Sequence, residues 1–503
     1  MHPRAGLFNP TSIGMALTKR LMDSVLGEMT HGSWLSMTRR KMLGSLLIGS
    51  GGLLSLLSVE ALARKAQRRG RVLLDGVPSA PRGLDEAVRF PLLEALQGRR
   101  ARRFPLGASI DAGPLAFRSK QAPMPLSDLE RMMILTAVAG NTGWLNLHPF
   151  NPRYAPGIPN YAAAAGGRTF PSSAGFHTSE IFYTDDDGVY FFPTRDLHSV
   201  MDDGDKGGLD LMAYLDKHKS RIRKLTDGRL HIPENSAHIE MHNPWCVNRP
   251  GTTLIIPVAD IAQHHLAGLC YLVQNGACIA DDVNKDPIPG MDRFGDLVDL
   301  KNPYPLTVVE QLSLTEATVE IGTACYAGAL MLQAMGLGGW MFDGINPLSV
   351  LGSSGDPQVP GLGFRFDTDP RWSVPNPTGL TGVFEGHCPP HHKDMRAAVE
   401  AVVKRKFGRG GPFHAGTPGP YADNARVRGA GKPHDERFID CVATMAQYVH
   451  DKFGKFPGTV PSLLILMYLQ AHHLDLEFYD THFAEGAYLE THAQHMEHWH
   501  SKG

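Results

Sequence analysis

The alternation of apolar and polar positions predicts a β-hairpin centred near residue 187. Apolar residues fill positions 181–183 and 189–192, and Asp187-Gly188 stands between the two runs. An Asp-Gly pair between apolar runs is a strong short-range hairpin signal. Residues 171–175, just before the first run, are Pro-Ser-Ser-Ala-Gly and offer hydroxyls and backbone N–H groups without bulk. That composition suits a loop lying against a ligand, and it also suits an ordinary surface turn.

Apolar residues at helical spacing predict the main helices. Ser127 and Glu130 form a capping box ahead of a helix that Gly140 ends. Ser313 and Glu316 form the same pattern ahead of a small-residue helix that ends at Gly336, and its small residues predict close packing on nearly every side. Further helices are predicted within residues 209–225, over 260–276, 393–407 and 435–453, and from Pro461 onward.

Composition narrows the class of protein. The chain has 503 residues, 42% of them hydrophobic, and a net charge of −2, which gives no indication of a nucleic-acid partner. With 54 glycines and 37 prolines, long connecting loops are expected. The six cysteines form no C-x-x-C pair, so a disulfide framework is not predicted, although one or two bridges stay open.

The N-terminal region predicts export. Arg39-Arg40 precedes an apolar run over residues 42–57, and Ala61-Leu62-Ala63 offers a small-x-small cleavage site. This arrangement resembles a twin-arginine (Tat) signal, so residues 1–63 are predicted to be a leader and the protein periplasmic. A cytoplasmic protein and a membrane anchor are the alternatives. Residues 64–104 carry arginine clusters and are predicted to be a basic, solvated linker.

The order of the motifs resembles the nitroreductase-like flavin family. A loop with Arg168 three residues before Pro171 leads into a strand whose partner begins Asp-Gly-Val-Tyr, and the small-residue helix is followed by Leu-Gly-Gly. The resemblance covers roughly residues 105–355. It implies an α+β fold in which a mainly antiparallel sheet is wrapped by helices, in homodimers with FMN at the subunit interface. We therefore assign 105–410 to a flavin domain with an insertion near 195–250, and 411–503 to a C-terminal helical extension.

The resemblance also implies which residues hold the flavin. The stretch from Arg118 to Lys120 is the nearest match to the family's phosphate-binding segment, and residues 404–406 are candidates for its late basic residue. The serine loop would lie against the flavin, with the glycines after the small-residue helix on the other side of the ring. The predicted cofactor-binding residues are Arg118, Ser119, Lys120, Arg168, Pro171, Ser172, Ser173, Gly175, Leu337, Gly338, Gly339 and Gly344.

The function that the resemblance implies is two-electron transfer through FMN to a small-molecule acceptor. NAD(P)H would be the donor in the cytoplasm, and a redox partner would serve an exported protein. No catalytic side chain is assigned, because the flavin carries the chemistry.

One alternative is a non-catalytic protein with a flavin-binding fold. Another is an exported metal-dependent enzyme, since the 24 histidines cluster, although we assign no metal ligand. The clusters are His238 with His242; His387, His391 and His392; His472 and His473; and His492, His495, His498 and His500 near Glu490 and Glu497.

Overall fold

The protein is an α+β structure whose largest sheet is antiparallel throughout. The computed structural model describes residues 72–73, 81–146, 162–172, 175–195 and 209–501. The α-helices in these residues are α1 Arg82–Arg89, α2 Leu92–Gly98, α3 Asp128–Ala139, α4 Leu211–Lys219, α5 Ile261–Gln274, α6 Leu306–Met335, α7 Pro347–Leu351, α8 Met395–Phe407, α9 Asn424–Gly429, α10 Glu436–Phe453, α11 Leu476–His482 and α12 Glu490–His500. The strands are β1 Val72–Leu73, β2 Ser109–Ile110, β3 Phe117–Arg118, β4 Asn141–Trp144, β5 Gly166–Arg168, β6 Ser179–Thr184, β7 Gly188–Phe192, β8 Leu209–Asp210, β9 Arg223–Asp227, β10 Thr253–Asp260, β11 Ile279–Ala280, β12 Tyr304–Pro305, β13 Gly338–Phe342, β14 Arg365–Asp367, β15 Asn376–Leu380, β16 Phe384–Glu385, β17 Leu463–Leu464 and β18 Tyr468–His472.

The central sheet has the strand order β13-β18-β10-β6-β7-β9, and β17 pairs with the end of β10. Every pair in it is antiparallel. Strands β6 and β10 are buried along their whole length, as expected for apolar runs covered on both faces. The predicted fold class, a mainly antiparallel sheet with helices around it, is confirmed at this level.

The predicted hairpin is confirmed in β6 and β7. Asp185 closes the turn, because its Oδ1 accepts hydrogen bonds from the backbone N–H groups of Asp187 and Gly188. Across the two strands Tyr183 and Tyr190 stack with ring centroids 4.6 Å apart. Local turn chemistry and cross-strand aromatic contact therefore agree with the sequence pattern.

The small-residue helix is longer than predicted. Helix α6 runs for 30 residues from Leu306, directly after Pro305. Ser313 lies inside the helix, where its hydroxyl donates to the Val309 carbonyl 3.0 Å away, so the capping box predicted there is wrong. The predicted end is confirmed, because Gly336 takes a left-handed φ of 75°. Small residues on α6 let α3 and the sheet approach closely, which makes α6 the central helix of the protein.

The C-terminal part is not the helical extension that was predicted. Strand β18 lies between β13 and β10 in the central sheet, and β17 pairs with β10. The apolar run after Pro461 was interpreted as a helix because a short continuous apolar run does not distinguish a buried strand from a helix. Residues 411–501 thus complete the sheet as well as adding helices α9 to α12.

Two other segments also belong to the main fold. Helices α1 and α2 occupy much of the predicted basic linker, and Arg102 exchanges backbone hydrogen bonds with Gly339. The predicted insertion near 195–250 supplies β9, an edge strand of the central sheet. The described residues all fall in the unit Arg69–Gly503. The predicted leader, residues 1–63, lies outside the described residues.

Two further properties hold for the described part of the chain. None of its helices is both long enough and apolar enough to cross a membrane. All six cysteines are buried and free, and burial raises the pKa of the Cys325 thiol. The one or two disulfide bridges that the sequence analysis did not exclude are therefore absent from these residues.

Candidate functional site

The serine-containing loop before the hairpin is fixed to the middle of α6 by a buried carboxylate. Glu320 is fully buried and accepts hydrogen bonds from the Ser172 hydroxyl at 2.6 Å and from the backbone N–H groups of His177 and Thr178 at 3.1 and 3.0 Å. The hydroxyls of Thr178 and Ser179 also donate to it, at 3.3 and 3.0 Å. Five donors on one carboxylate fix Ser172 and the buried residues 177–179 to α6, whereas one of our two interpretations was a surface turn.

His177 is the strained residue of this loop. Its φ is 51°, a left-handed conformation that residues other than glycine seldom adopt and that is often found at functional sites. The ring is buried, and no hydrogen-bond partner within the described residues reaches its Nδ1. Burial, and to a smaller extent the charges of Arg168 and Arg405, lower the pKa of His177 to about 3. The ring is therefore neutral and lies in a positive environment.

The predicted phosphate-binding stretch has a different environment. The Arg118 side chain is 81% exposed and lies 3.5 Å from Asp111. The Ser119 hydroxyl donates to Asp475, and Lys120 forms an ion pair with Glu477. A phosphate at this position would have to compete with carboxylates that these side chains already contact. The structure offers no cradle for the phosphate here.

The predicted glycine segment packs against the chain itself. A Cβ on Gly338 would come within 2.7 Å of His472, and one on Gly339 within 2.1 Å of the Gln470 carbonyl. Gly344 likewise approaches Asn243, whose Nδ2 would lie 2.5 Å from an added Cβ. Leu337 is buried in the core beside α6. These small residues therefore allow strand β13 and its neighbours to pack closely.

The two predicted halves of the flavin slot do not meet within one chain. Ser172 contacts Glu320, in the middle of α6, whereas Gly338 follows the end of that helix. Gly336 lies sixteen positions after Glu320 at the end of the helix, which corresponds to about 24 Å. Arg168 is buried on the loop side and Pro171 is exposed there, and Gly175 takes a φ of 63°. Ser173 lies outside the described residues.

A second buried carboxylate, Glu130, is surrounded by imidazoles. The Nε2 atoms of His473, His495 and His500 lie 3.2, 2.9 and 3.0 Å from its Oε1. The four candidate ligand atoms all lie within 4.8 Å of one another. Hydrogen bonds and charge from these rings hold the pKa of Glu130 well below its usual range, although burial opposes this. The arrangement has the donor set of a metal centre.

The other histidine clusters do not assemble a comparable set of ligand atoms. His238 is buried and hydrogen-bonds to Ser349 at 2.8 Å, while His242 is exposed. His387 is fixed by Asp260, 2.7 Å from its Nδ1, and its ring lies 5.6 Å from that of His392, which in turn lies 4.7 Å from the ring of the exposed His391. On the C-terminal helix, His498 contacts Glu86 at 2.6 Å, and the backbone N–H of Leu489 donates to His492. Within the described residues, only the cluster around Glu130 brings three or more candidate metal ligands together.

Sequence reasoning missed the two carboxylates that organise these sites. Glu130 was assigned only to its capping box, which the structure confirms. Glu320 was not singled out, although it lies on the same helical stripe as Ala317 and Ala324, where the pattern requires small apolar residues. A charged residue on a buried stripe was the signal that could have found it.

Comparison with known proteins leaves the family open. No family model matches the chain, and no curated protein matches it. One solved structure, described as a "putative nitroreductase" from Ralstonia eutropha JMP134, shares 15% sequence identity over 51% of this chain and 71% of that chain, with a TM-score of 0.23. At that TM-score the likeness carries no argument about fold or function.

Proposed function

We propose that the protein is an FMN-dependent oxidoreductase in which the loop from Arg168 to His177 forms the flavin-binding surface. The observation that carries the proposal is His177, a buried, strained residue whose Nδ1 has no hydrogen-bond partner in the described part of the chain. A strained residue with an unsatisfied buried nitrogen is expected where a ligand supplies the missing contact. The polar edge of a flavin ring offers both donors and acceptors for such a nitrogen.

The charges around the loop suit an anionic cofactor. Arg168 is buried beside His177, and Arg405, one of the late basic candidates, is close enough to lower the pKa of the same ring. These two guanidinium groups would hold the anionic part of FMN, in place of the exposed stretch from Arg118 to Lys120. Bound FMN would supply the two-electron chemistry. The residues of the chain would hold the ring, orient it and keep water away.

We further propose that the protein is a homodimer through the outer face of α6. Four large apolar side chains on this face, at spacings of 4, 7 and 7 residues, are 36% to 56% exposed: Val308, Leu312, Val319 and Tyr326. Two carboxylates of α6, Glu310 and Glu320, are buried on its other sides, whereas Glu316 borders the stripe and pairs with His264. Arg99 lies over the Tyr326 ring at 6.0 Å, at one end of the stripe. An apolar stripe of this length is self-complementary and suits a two-fold partner.

The absorption spectrum of the purified protein tests the flavin proposal. We expect a visible flavin band, either on purification or after incubation with FMN, and release of FMN on denaturation. Arg405→Gln should weaken FMN binding about tenfold, because a charge-assisted hydrogen bond contributes about 1.5 kcal/mol or more. Lys404→Gln is the matched control, because Lys404 is the exposed neighbour on the same helix. A colourless protein that stays colourless with added FMN would contradict the proposal.

The electron donor and the location remain predictions. Export by the twin-arginine route would separate the protein from cytoplasmic NAD(P)H and would require another reductant. The residues that carry the export signal lie outside those that the structure describes. Fractionation of cells would decide between a periplasmic enzyme with a redox partner and a cytoplasmic enzyme that uses NAD(P)H.

A further inference from the structure

The orientation of two imidazoles around Glu130 is fixed by their outer hydrogen bonds. The Nδ1 of His473 lies 2.9 Å from the Met124 carbonyl, and the Nδ1 of His495 lies 2.7 Å from the Met335 carbonyl. A carbonyl oxygen only accepts, so each Nδ1 carries the proton. In a neutral ring the Nε2 is then a lone pair. Both lone pairs face the same carboxylate, which is also an acceptor.

The imidazoles converge on a single carboxylate. Glu130 is the one acidic side chain within 4 Å of these rings among the described residues. His495 and His473 are buried. The Nε2 of His495 also makes no hydrogen bond, although it lies 2.9 Å from Glu130 Oε1. Its lone pair is therefore directed beside the oxygen.

We propose that Glu130, His473, His495 and His500 bind one divalent metal ion of the zinc class. Three imidazole nitrogens and one carboxylate oxygen form a tetrahedral donor set, with metal–ligand distances of about 2.0 to 2.2 Å. Tetrahedral geometry at those distances separates the ligand atoms by about 3.3 to 3.5 Å. The observed separations of 2.9 to 3.2 Å from the carboxylate oxygen need to grow by a few tenths of an ångström, and ligand atoms that lie up to 4.8 Å apart need to move closer by about 1 Å.

The ligands are already oriented for this ion. The carbonyls that accept from the two Nδ1 atoms fix both rings in the tautomer that presents Nε2 to the metal, which is the usual outer-shell pattern of metal-binding histidines. The second oxygen of Glu130 accepts the backbone N–H of Ser127 at 2.6 Å, so the carboxylate cannot rotate freely. Capping helix α3 and binding the ion therefore use different oxygens of one side chain.

The site joins three distant parts of the chain. Glu130 lies in the first turn of α3, His473 directly follows β18, and His495 and His500 lie on α12. Four protein ligands complete the coordination sphere of a tetrahedral ion and leave no position for a substrate. The ion therefore has a structural role and holds α12 against the rest of the protein. Helix α12 also has contacts that need no metal, since His498 pairs with Glu86 and Trp499 packs on Gly83. These contacts provide a control within the same helix.

The test is the metal content and metal affinity of the full chain. We expect one zinc per chain by elemental analysis of purified protein. After removal of zinc with a chelator, one equivalent of Co²⁺ should bind and give the intense visible bands of a tetrahedral site, and zinc should displace it. Chelation should also lower the melting temperature, and added zinc should restore it. Flavin binding is measured separately, so failure of either proposal does not affect the other.

A matched pair of variants locates the site. His495→Gln should reduce zinc affinity at least 100-fold, whereas His498→Gln, three residues along the same helix and also buried, should retain one zinc per chain. Circular dichroism would establish that both variants are folded. If His495→Gln did not fold, the wild-type titration would decide alone. The proposal is overturned if folded wild-type protein binds neither Zn²⁺ nor Co²⁺, or if both variants retain equal zinc.

Discussion

The two buried carboxylates of this protein, Glu320 and Glu130, differ in what surrounds them. Glu320 accepts hydrogen bonds from backbone N–H groups and hydroxyls, which are neutral donors in fixed positions. Glu130 accepts one such bond, from Ser127, and its other oxygen faces three imidazole nitrogens. Imidazoles exist as donors or as lone pairs, so their role depends on a proton or a metal ion.

The difference separates a structural carboxylate from a candidate ligand. Both carboxylate oxygens of Glu320 receive hydrogen bonds from donors of the chain itself. This residue therefore fixes the loop beside His177 without any added group. At Glu130 the chain places three imidazole nitrogens around one carboxylate oxygen, an arrangement that a metal ion would complete. Burial of a carboxylate is thus weak evidence for a metal site, whereas the chemical nature of the surrounding atoms is informative.

The largest effect is expected from replacing Glu320. In Glu320→Gln one carboxylate oxygen becomes an NH₂ group that faces a backbone N–H of the loop, so a buried donor loses its acceptor. We expect the free energy of unfolding to fall by about 3 kcal/mol, measured by urea denaturation. Glu316→Gln is the control, because Glu316 is half-buried and contacts only His264 in the described part of the chain, and it should cost about 1 kcal/mol or less. Equal losses in the two variants would contradict the structural role of Glu320.

A second effect, which is smaller near neutral pH and grows as the pH falls, is expected at His177. Its pKa is lowered from 6.5 to about 3, so the unfolded chain binds the proton first as the pH falls. The stability that the neutral ring contributes is complete above the unfolded pKa and is lost as the pH falls toward the folded value, at up to about 1.4 kcal/mol per pH unit.

His177→Asn removes this titration and keeps a side chain that tolerates the left-handed backbone. We expect its free energy of unfolding to decline less steeply than that of the wild type between about pH 6.5 and pH 4. Urea denaturation at several pH values measures both slopes. Parallel slopes would show that the ring is not buried in its neutral form.

The smallest effect on folding is expected on the outer face of α6, the helix that carries Glu320. Leu312→Lys should change the free energy of unfolding by no more than about 0.5 kcal/mol, because the side chain is exposed. It should nevertheless halve the mass in solution, measured by light scattering, because a charge would enter an apolar interface on each chain. Met241→Lys, at another exposed apolar position, should stay dimeric. A wild-type protein that is already monomeric would refute the dimer proposal.

Elements with local signals were predictable from the sequence. The hairpin was predicted from Asp187-Gly188, the start of α3 from Ser127 and Glu130, and the end of α6 from Gly336. The amphipathic stripe predicted α10, which begins after the cap Asp435. In each case the deciding contacts lie within a few residues, so propensity, capping and turn chemistry suffice.

The tertiary structure alone decided the rest, because the deciding contacts join distant residues. Strand β18 is a strand only because β10 and β13 lie on both sides of it, and its apolar run would suit a helix equally well. The sequence by itself showed His495 and His500 in a cluster near Glu490 and Glu497, and His473 in a separate cluster with His472. The carboxylate that His473, His495 and His500 share is 343 residues from His473 and 370 from His500, a separation at which no local pattern carries information.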